Sequence, residues 1–369
     1  MKNTSLHKQA TALAACAIFS LTGAVQAAPV FSDLYIFGDS LSDTGNVATA
    51  GGQFLTIIGT YGENGRFSNG PVWHEYLKSQ MGMAIDLNRP QFGNMTYSDL
   101  NQADDNFQDP SVAGGIGTNF AYGGALVDGG GSFSSIFAYS YTEQVNYWDT
   151  NYTVDSDALY VNWIGGNNIR SLVTNGYTAS QDQASIDTAL DALIDGLAVQ
   201  LDNGVTNLLV PNLPDIGSIP EFASDVNEST EGTILTDAWN AGLRQRLDAL
   251  TASYLNASIY FFDVNTLFDD MMANPASYNI TDTTSECRGV GGFIGFRYET
   301  ECANADTTLF WDEIHPTTAS HEKLANYAYD ALLAGPLGRP NSVPVPSAAL
   351  LMLLGVGFLA SRRTTKAAA

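Results

Sequence analysis

The segment Phe37-Gly38-Asp39-Ser40-Leu41-Ser42-Asp43-Thr44-Gly45-Asn46 sets a serine hydroxyl directly after Leu34 to Phe37, an apolar run that reads as a buried strand ending at a glycine. Open α/β sheets bind ligands at such strand ends, which makes Ser40 a candidate nucleophile. The same polar residues could equally cap a following helix. A serine hydroxyl near neutral pH needs a base, and histidine has the pKa suited to that work. Downstream, Asp312-Glu313-Ile314-His315-Pro316-Thr317 supplies one. Residues three apart in a turn share a face, so Asp312 can take the Nδ1 proton of His315 and leave Nε2 for Ser40. An isolated Asp-x-x-His also suits a surface turn or a helix start. His315 and His321 make a poor metal pair: their spacing is not helical, and no further His or Cys is to hand.

The intervening elements must bring these residues together. Trp73 to Gln80 reads as a helix, Ala158 to Ile164 as a strand ending in Gly165-Gly166-Asn167-Asn168, and Val205 to Val210 as a strand ending in Pro211-Asn212-Leu213-Pro214-Asp215. Helical periods run through Ser185 to Leu201, Ile234 to Leu255 and Thr318 to Leu333, with a strand at Ser258 to Val264 and a short helix at Thr266 to Ala273. Strands alternating with helices imply βαβ units and a mostly parallel sheet. Gly51 to Gly65 reads as loop, and Asn88 to Pro110 as a polar insertion over the site, where loops set specificity. The stretch from Ala113 to Gly131 carries eight glycines but no Gly-Lys-Ser/Thr, and Phe120 stands where a dinucleotide fingerprint wants glycine. Phosphate binding is disfavoured, while close approach of backbone N–H groups to a reacting atom stays open.

The chain has 369 residues, 45% of them apolar and 15% charged, enough for one large domain from about residue 28 to 334. Residues 1–27 have the layout of a secretory signal peptide: two lysines, no acidic residue, an apolar stretch and small residues before Ala28. After a linker at 335–346, residues 347–369 comprise an apolar segment, Ser347 to Ala360, and a basic tail; this apolar segment is short against the roughly twenty residues of a spanning helix, so the tail reads as a sorting signal or a short anchor. Between these ends 39 acidic residues face 10 Lys and Arg, a surface ill suited to nucleic acid. Such a chain is expected to be exported. Once Cys16 leaves with the signal peptide, Cys287 and Cys302 remain as an even pair, which in an oxidising compartment reads as a disulfide.

Taken together, the blocks resemble the GDSL lipases/esterases of the SGNH hydrolase superfamily. Four occur in the family's order: Phe37 to Asn46, Asn119-Phe120-Ala121-Tyr122-Gly123-Gly124-Ala125, Gly165-Gly166-Asn167-Asn168 and Asp312-Glu313-Ile314-His315. Arg66 to Trp73 and Pro211 to Gly217 are also similar to family segments. The resemblance implies a flavodoxin-like three-layer α/β/α fold with a mostly parallel five-stranded sheet. It implies Ser40 as nucleophile, His315 as base and then acid, and Asp312 as its orienting carboxylate. The oxyanion hole it implies is the N–H groups of Ser40 and Gly123 and the amide of Asn167, with Gly124 adjoining Gly123. No cofactor or metal is expected, and the expected partner is an ester: an acyl lipid, a simple ester or an acetylated glycan. Asn168 departs from the Asp common at that position. An α/β-hydrolase proper fits less well, because Ser42 stands where its nucleophile elbow wants a second glycine. A non-catalytic glycan- or lipid-binding matrix protein is the reading from another class. The last 27 residues or so resemble the PEP-CTERM sorting signal of exported bacterial proteins, with Val345 where Glu is usual, which implies a processing enzyme acting on the tail.

Overall fold

The computed structural model describes residues 29–47, 65–83, 118–129, 139–176, 179–293 and 296–338, the side chains of 290–299 excepted. All lie within the compact unit Ala28–Asn341; a second unit, Met1–Ala27 with Ser342–Ala369, lies outside the described residues. So do the expected insertion at 88–110, nearly all of the loop expected at 51–65, and both of the expected export signals. Among the described residues no helix is long and apolar enough to cross a membrane.

Strands β1 (Leu34–Gly38), β2 (Leu159–Trp163), β3 (Asn207–Pro211) and β4 (Ser258–Phe262) form a parallel sheet in that order. Every residue of β2 is buried, as expected of a parallel strand covered on both faces. Successive β2 side chains show the two layers. Tyr160 meets Trp148 of α2 (Tyr141–Asn151), and Asn162 is bonded by Tyr141 Oη at 3.0 Å and Gln200 Oε1 at 3.0 Å. Gln200 belongs to α4 (Ala179–Asp202), so α2 and α4 cover that face. On the other face Trp163 meets Trp73 of α1 (Trp73–Gln80), which packs on α8 (Thr318–Ala334). The sheet is thus the middle of three layers. The fifth strand expected of this fold is represented by 118–122, which runs along the outer edge of β1 through Ile36 N to Thr118 O, Phe120 N to Ile36 O and Tyr122 N to Gly38 O, with one parallel bridge between Ile36 and Asn119.

Two helices begin earlier than their apolar periods suggest, because their first turns are set by polar caps. The side chain of Asp225 receives Asn227 N and Glu228 N at the start of α6 (Val226–Ser253), and Asp263 receives Thr266 N at the start of α7 (Val264–Ala273). Helix α2 has no strong apolar period; a reciprocal Ser140–Glu143 capping box marks its start. Helix α3 (Gly166–Asn175) starts inside what reads as a loop, and the short helix α5 (Pro220–Ala223) follows β3.

Beyond α7, β5 (Asp282–Glu286) pairs with β8 (Thr308–Phe310), and β6 (Arg288–Phe293) pairs with β7 (Phe296–Glu301) as a hairpin. Cys287 and Cys302 are bonded across the base of this hairpin, Cα to Cα 4.9 Å. The hairpin leads directly to β8, the strand that delivers Asp312.

Candidate active site

Strand β1 lies so close to β2 at Gly38 that a Cβ there would stand 2.4 Å from Trp163 O, so glycine is required. Gln144 grips the same peptide, its Oε1 receiving Gly38 N at 2.9 Å and its Nε2 donating to Gly38 O at 2.9 Å. The chain then turns: Ser42 N donates to Asp39 O at 3.1 Å, and Leu41 N to Asp39 Oδ1 at 3.1 Å. Ser40 sits on that turn. Behind it the buried Asp43 carboxylate accepts the N–H groups of Gly45, Asn46 and Val47, and Ser42 O accepts Asn119 Nδ2 at 2.8 Å and His74 Nε2 at 2.9 Å. The acceptor is a carbonyl, so His74 carries its proton on Nε2.

Ser40 Oγ is 2.8 Å from His315 Nε2, although 275 residues separate them. His315 Nδ1 is 2.9 Å from each oxygen of Asp312, whose Oδ1 also accepts Ile314 N at 3.0 Å and His315 N at 2.7 Å. The loop is therefore wound around its own carboxylate. Burial pushes the Asp312 carboxyl up, but the neighbouring His315 and these N–H donors outweigh it and hold the group at about 2. The segment after Arg66 braces the loop from the other side. Phe67 packs on the His315 ring at 5.1 Å, Ser68 Oγ donates to Pro316 O at 2.9 Å, and Asn69 Oδ1 accepts Thr318 N at 2.8 Å. His321 does not join His315; it is buried between α1 and α8, where its Nδ1 accepts Trp73 N at 3.2 Å. Among the described residues no group of three or more His, Cys, Asp or Glu is placed to hold a metal ion.

One of the expected oxyanion donors has a partner within the fold. Gly123 N already donates to Asp43 Oδ2 at 2.8 Å, so this N–H is engaged in bracing the Ser40 turn. Its neighbour Gly124, with φ +78, closes a tight turn in which Ala125 N bonds Tyr122 O, and the Gly124 N–H has no partner among the described residues. Asn167, in the first turn of α3, donates through Nδ2 to Ala125 O at 3.0 Å and accepts Arg170 Nη1 on Oδ1 at 3.1 Å. Asn168 Oδ1 accepts Val127 N at 3.1 Å, a role that the oxygen of an Asp would fill as well.

A serine, a carboxylate and a histidine in this chain order, on a parallel α/β sheet, invite comparison with known hydrolases. The model of the GDSL-like lipase/acylhydrolase family matches residues 34–328. The chain belongs to this family. It is accordingly a carboxylic ester hydrolase. A phosphatidylcholine-sterol acyltransferase of Aeromonas hydrophila is 25% identical over 350 residues, covering 82% of this chain and 92% of that protein. A GDSL esterase/lipase of Arabidopsis thaliana is 29% identical over 333 residues, covering 79% and 85%. Among solved structures, an acetylxylan esterase from Geobacillus stearothermophilus is 14% identical and covers 82% of this chain and 95% of that one, at a TM-score of 0.42.

Two further features of this GDSL hydrolase were not legible in its sequence. A mainly apolar cavity opens beside Ser40 and runs past Leu41, Ile216, Phe268, Met271, Phe310 and Leu324. Its walls come from segments far apart in the chain. At its polar end lies Asp39, whose carboxyl is pushed by burial from an ordinary 3.8 to about 6, against the opposing pull of Leu41 N–H, His315 and Arg170. A folded-state value above the unfolded one means that folding favours the protonated group. The contribution of Asp39 to stability is thus whole below pH 3.8 and is lost as pH rises through about 6. Asp39→Asn is expected to melt higher than the parent at pH 7.5, the gain vanishing below pH 4. Equal melting temperatures at pH 7.5 would show that the Asp39 carboxylate is no burden to the fold.

Proposed function

We propose that this hydrolase is an exported serine esterase or lipase that cleaves esters of apolar acyl chains through an acyl-enzyme. The observation that carries the reading is the 2.8 Å contact of Ser40 Oγ with His315 Nε2, backed by Asp312 on Nδ1. Ser40 Oγ attacks the acyl carbon while its proton passes to His315 Nε2, and Asp312 stabilises the imidazolium and holds the ring in its tautomer. The carbonyl oxygen becomes an oxyanion that receives the N–H groups of Ser40 and Gly124 and the remaining N–H of Asn167 Nδ2. As the tetrahedral centre collapses, the C–O bond to the alcohol breaks and His315 returns its proton to the leaving oxygen. Water then attacks the acyl-Ser40 ester by the same route, releasing the acid and restoring the serine. The bonded Cys287–Cys302 pair supports export, since such bonds persist in oxidising compartments.

The apolar cavity favours a lipid-like acyl chain over acetyl. Each buried CH₂ is worth ~0.8 kcal/mol, so kcat/KM on p-nitrophenyl esters is expected to rise about fourfold per methylene until the cavity is filled. Steady-state kinetics from acetate to palmitate checks this. A maximum at acetate would remove the lipid-like substrate, and no turnover of any ester would remove the esterase reading with it.

A further inference from the structure

Arg170 has a charge that no step above requires, and its contacts suggest what the charge does. Asn167 and Arg170 lie three residues apart in α3, so their side chains share one face of the helix. Arg170 Nη1 donates to Asn167 Oδ1 at 3.1 Å, and Asn167 Nδ2 donates to Ala125 O at 3.0 Å. A guanidinium only donates and a carbonyl only accepts, so the two partners together decide which end of the amide is nitrogen. One N–H of Nδ2 then remains for an oxyanion. The rest of the guanidinium is gripped from α5, with Nε 2.5 Å from Glu221 Oε2 and Nη2 2.7 Å from Oε1. This two-pronged grip leaves Nη1 aimed at Asn167 and limits the motion of the planar group. Glu221 also reaches the other half of the site: its backbone N–H donates at 3.0 Å to Glu313 O, in the loop between Asp312 and His315.

We propose that the Arg170–Glu221 pair is a positioning device for the oxyanion hole. It locks the Asn167 amide with its spare N–H toward the acyl oxygen and ties that donor to the loop carrying the acid and the base. The inference rests on Asn167 serving as an oxyanion donor. Without Arg170, Ala125 O alone among the described residues opposes rotation of the amide, and the flipped form presents oxygen to the oxyanion.

The test is a set of variants of the purified enzyme, with kcat, KM and melting temperature measured on p-nitrophenyl butyrate. Arg170→Met is expected to lower kcat roughly 10- to 30-fold with KM within about twofold, the pattern of an interaction made in the transition state. In an Asn167→Ala background the same change is expected to lower kcat by less than about twofold, because the group it positions is gone. Exchanging the pair, Arg170→Glu with Glu221→Arg, restores the ion pair but sets a carboxylate against Asn167 Oδ1. That protein is expected to recover melting temperature and not kcat. Full additivity with Asn167→Ala, or recovery of kcat in the exchanged pair, overturns the proposal and leaves Arg170 a structural role. Normal turnover by Asn167→Ala is a separate result: it overturns the oxyanion assignment itself. If Arg170→Met does not fold, Glu221→Gln, which loosens the grip without removing the guanidinium, carries the same comparison with a smaller expected loss.

Discussion

Ser40→Ala is expected to lower kcat for ester hydrolysis by roughly 10⁵- to 10⁶-fold and to abolish labelling by a fluorophosphonate, with the melting temperature close to the parent's. The size of the loss follows from the mechanism: without Oγ no acyl-enzyme forms, and an unactivated water must attack in its place. The fold tolerates the change because Ser40 Oγ is bonded to His315 Nε2, whereas the turn itself is held by the Asp39 carbonyl and the Asp39 and Asp43 carboxylates, which accept backbone N–H groups. His315 keeps its two Asp312 contacts when Oγ is removed. Labelling that persists in folded Ser40→Ala would assign the nucleophile to another serine. A folded variant with turnover near the parent's would dismiss the acyl-enzyme altogether.

Asn167→Ala is expected to lower kcat by roughly 10²- to 10³-fold with KM little changed, the loss typical of one oxyanion donor. Its neighbour gives the control, because Asn168 is bonded to a different element for a different purpose. Asn168 Oδ1 receives Val127 N, so Asn168→Ala leaves that buried valine's amide without its acceptor and is expected to cost about 1–2 kcal/mol of stability while folded protein turns over normally. Asn168→Asp keeps an oxygen in place and is expected to melt near the parent. Measuring kcat and melting temperature for the three variants separates the roles: activity lost at 167, stability lost at 168. Near-normal turnover by folded Asn167→Ala would remove its amide from the oxyanion hole and leave the hole to backbone donors.

Contacts within one turn or one strand are legible in the order of the residues. Asp312 and His315 can be paired on paper because three residues bring carboxylate and imidazole to one face, and the loop closes on Asp312 through Ile314 N and His315 N. Ser40 at a strand end and the alternation of strands with helices follow in the same way from apolar runs and the glycine that ends β1. Helices α2 and α3 start on polar first turns, which apolar period does not mark, although the Ser140–Glu143 box signals the start of α2. Tertiary structure decided everything that depends on a partner from a distant segment. Gly123 and Gly124 are equivalent as letters; Asp43, 80 residues before Gly123, takes the N–H of one and leaves that of the other. Nothing around Asn167 reveals that Glu221, 51 residues beyond Arg170, grips the guanidinium that orients its amide. The apolar cavity beside Ser40 and the raised pKa of Asp39 likewise arise from packing. The physical reason is common to all of them: covalent spacing sets which groups can meet within a turn, whereas solvation and the choice of hydrogen-bond partner are set by whichever remote surfaces the sheet and its two helical layers press together.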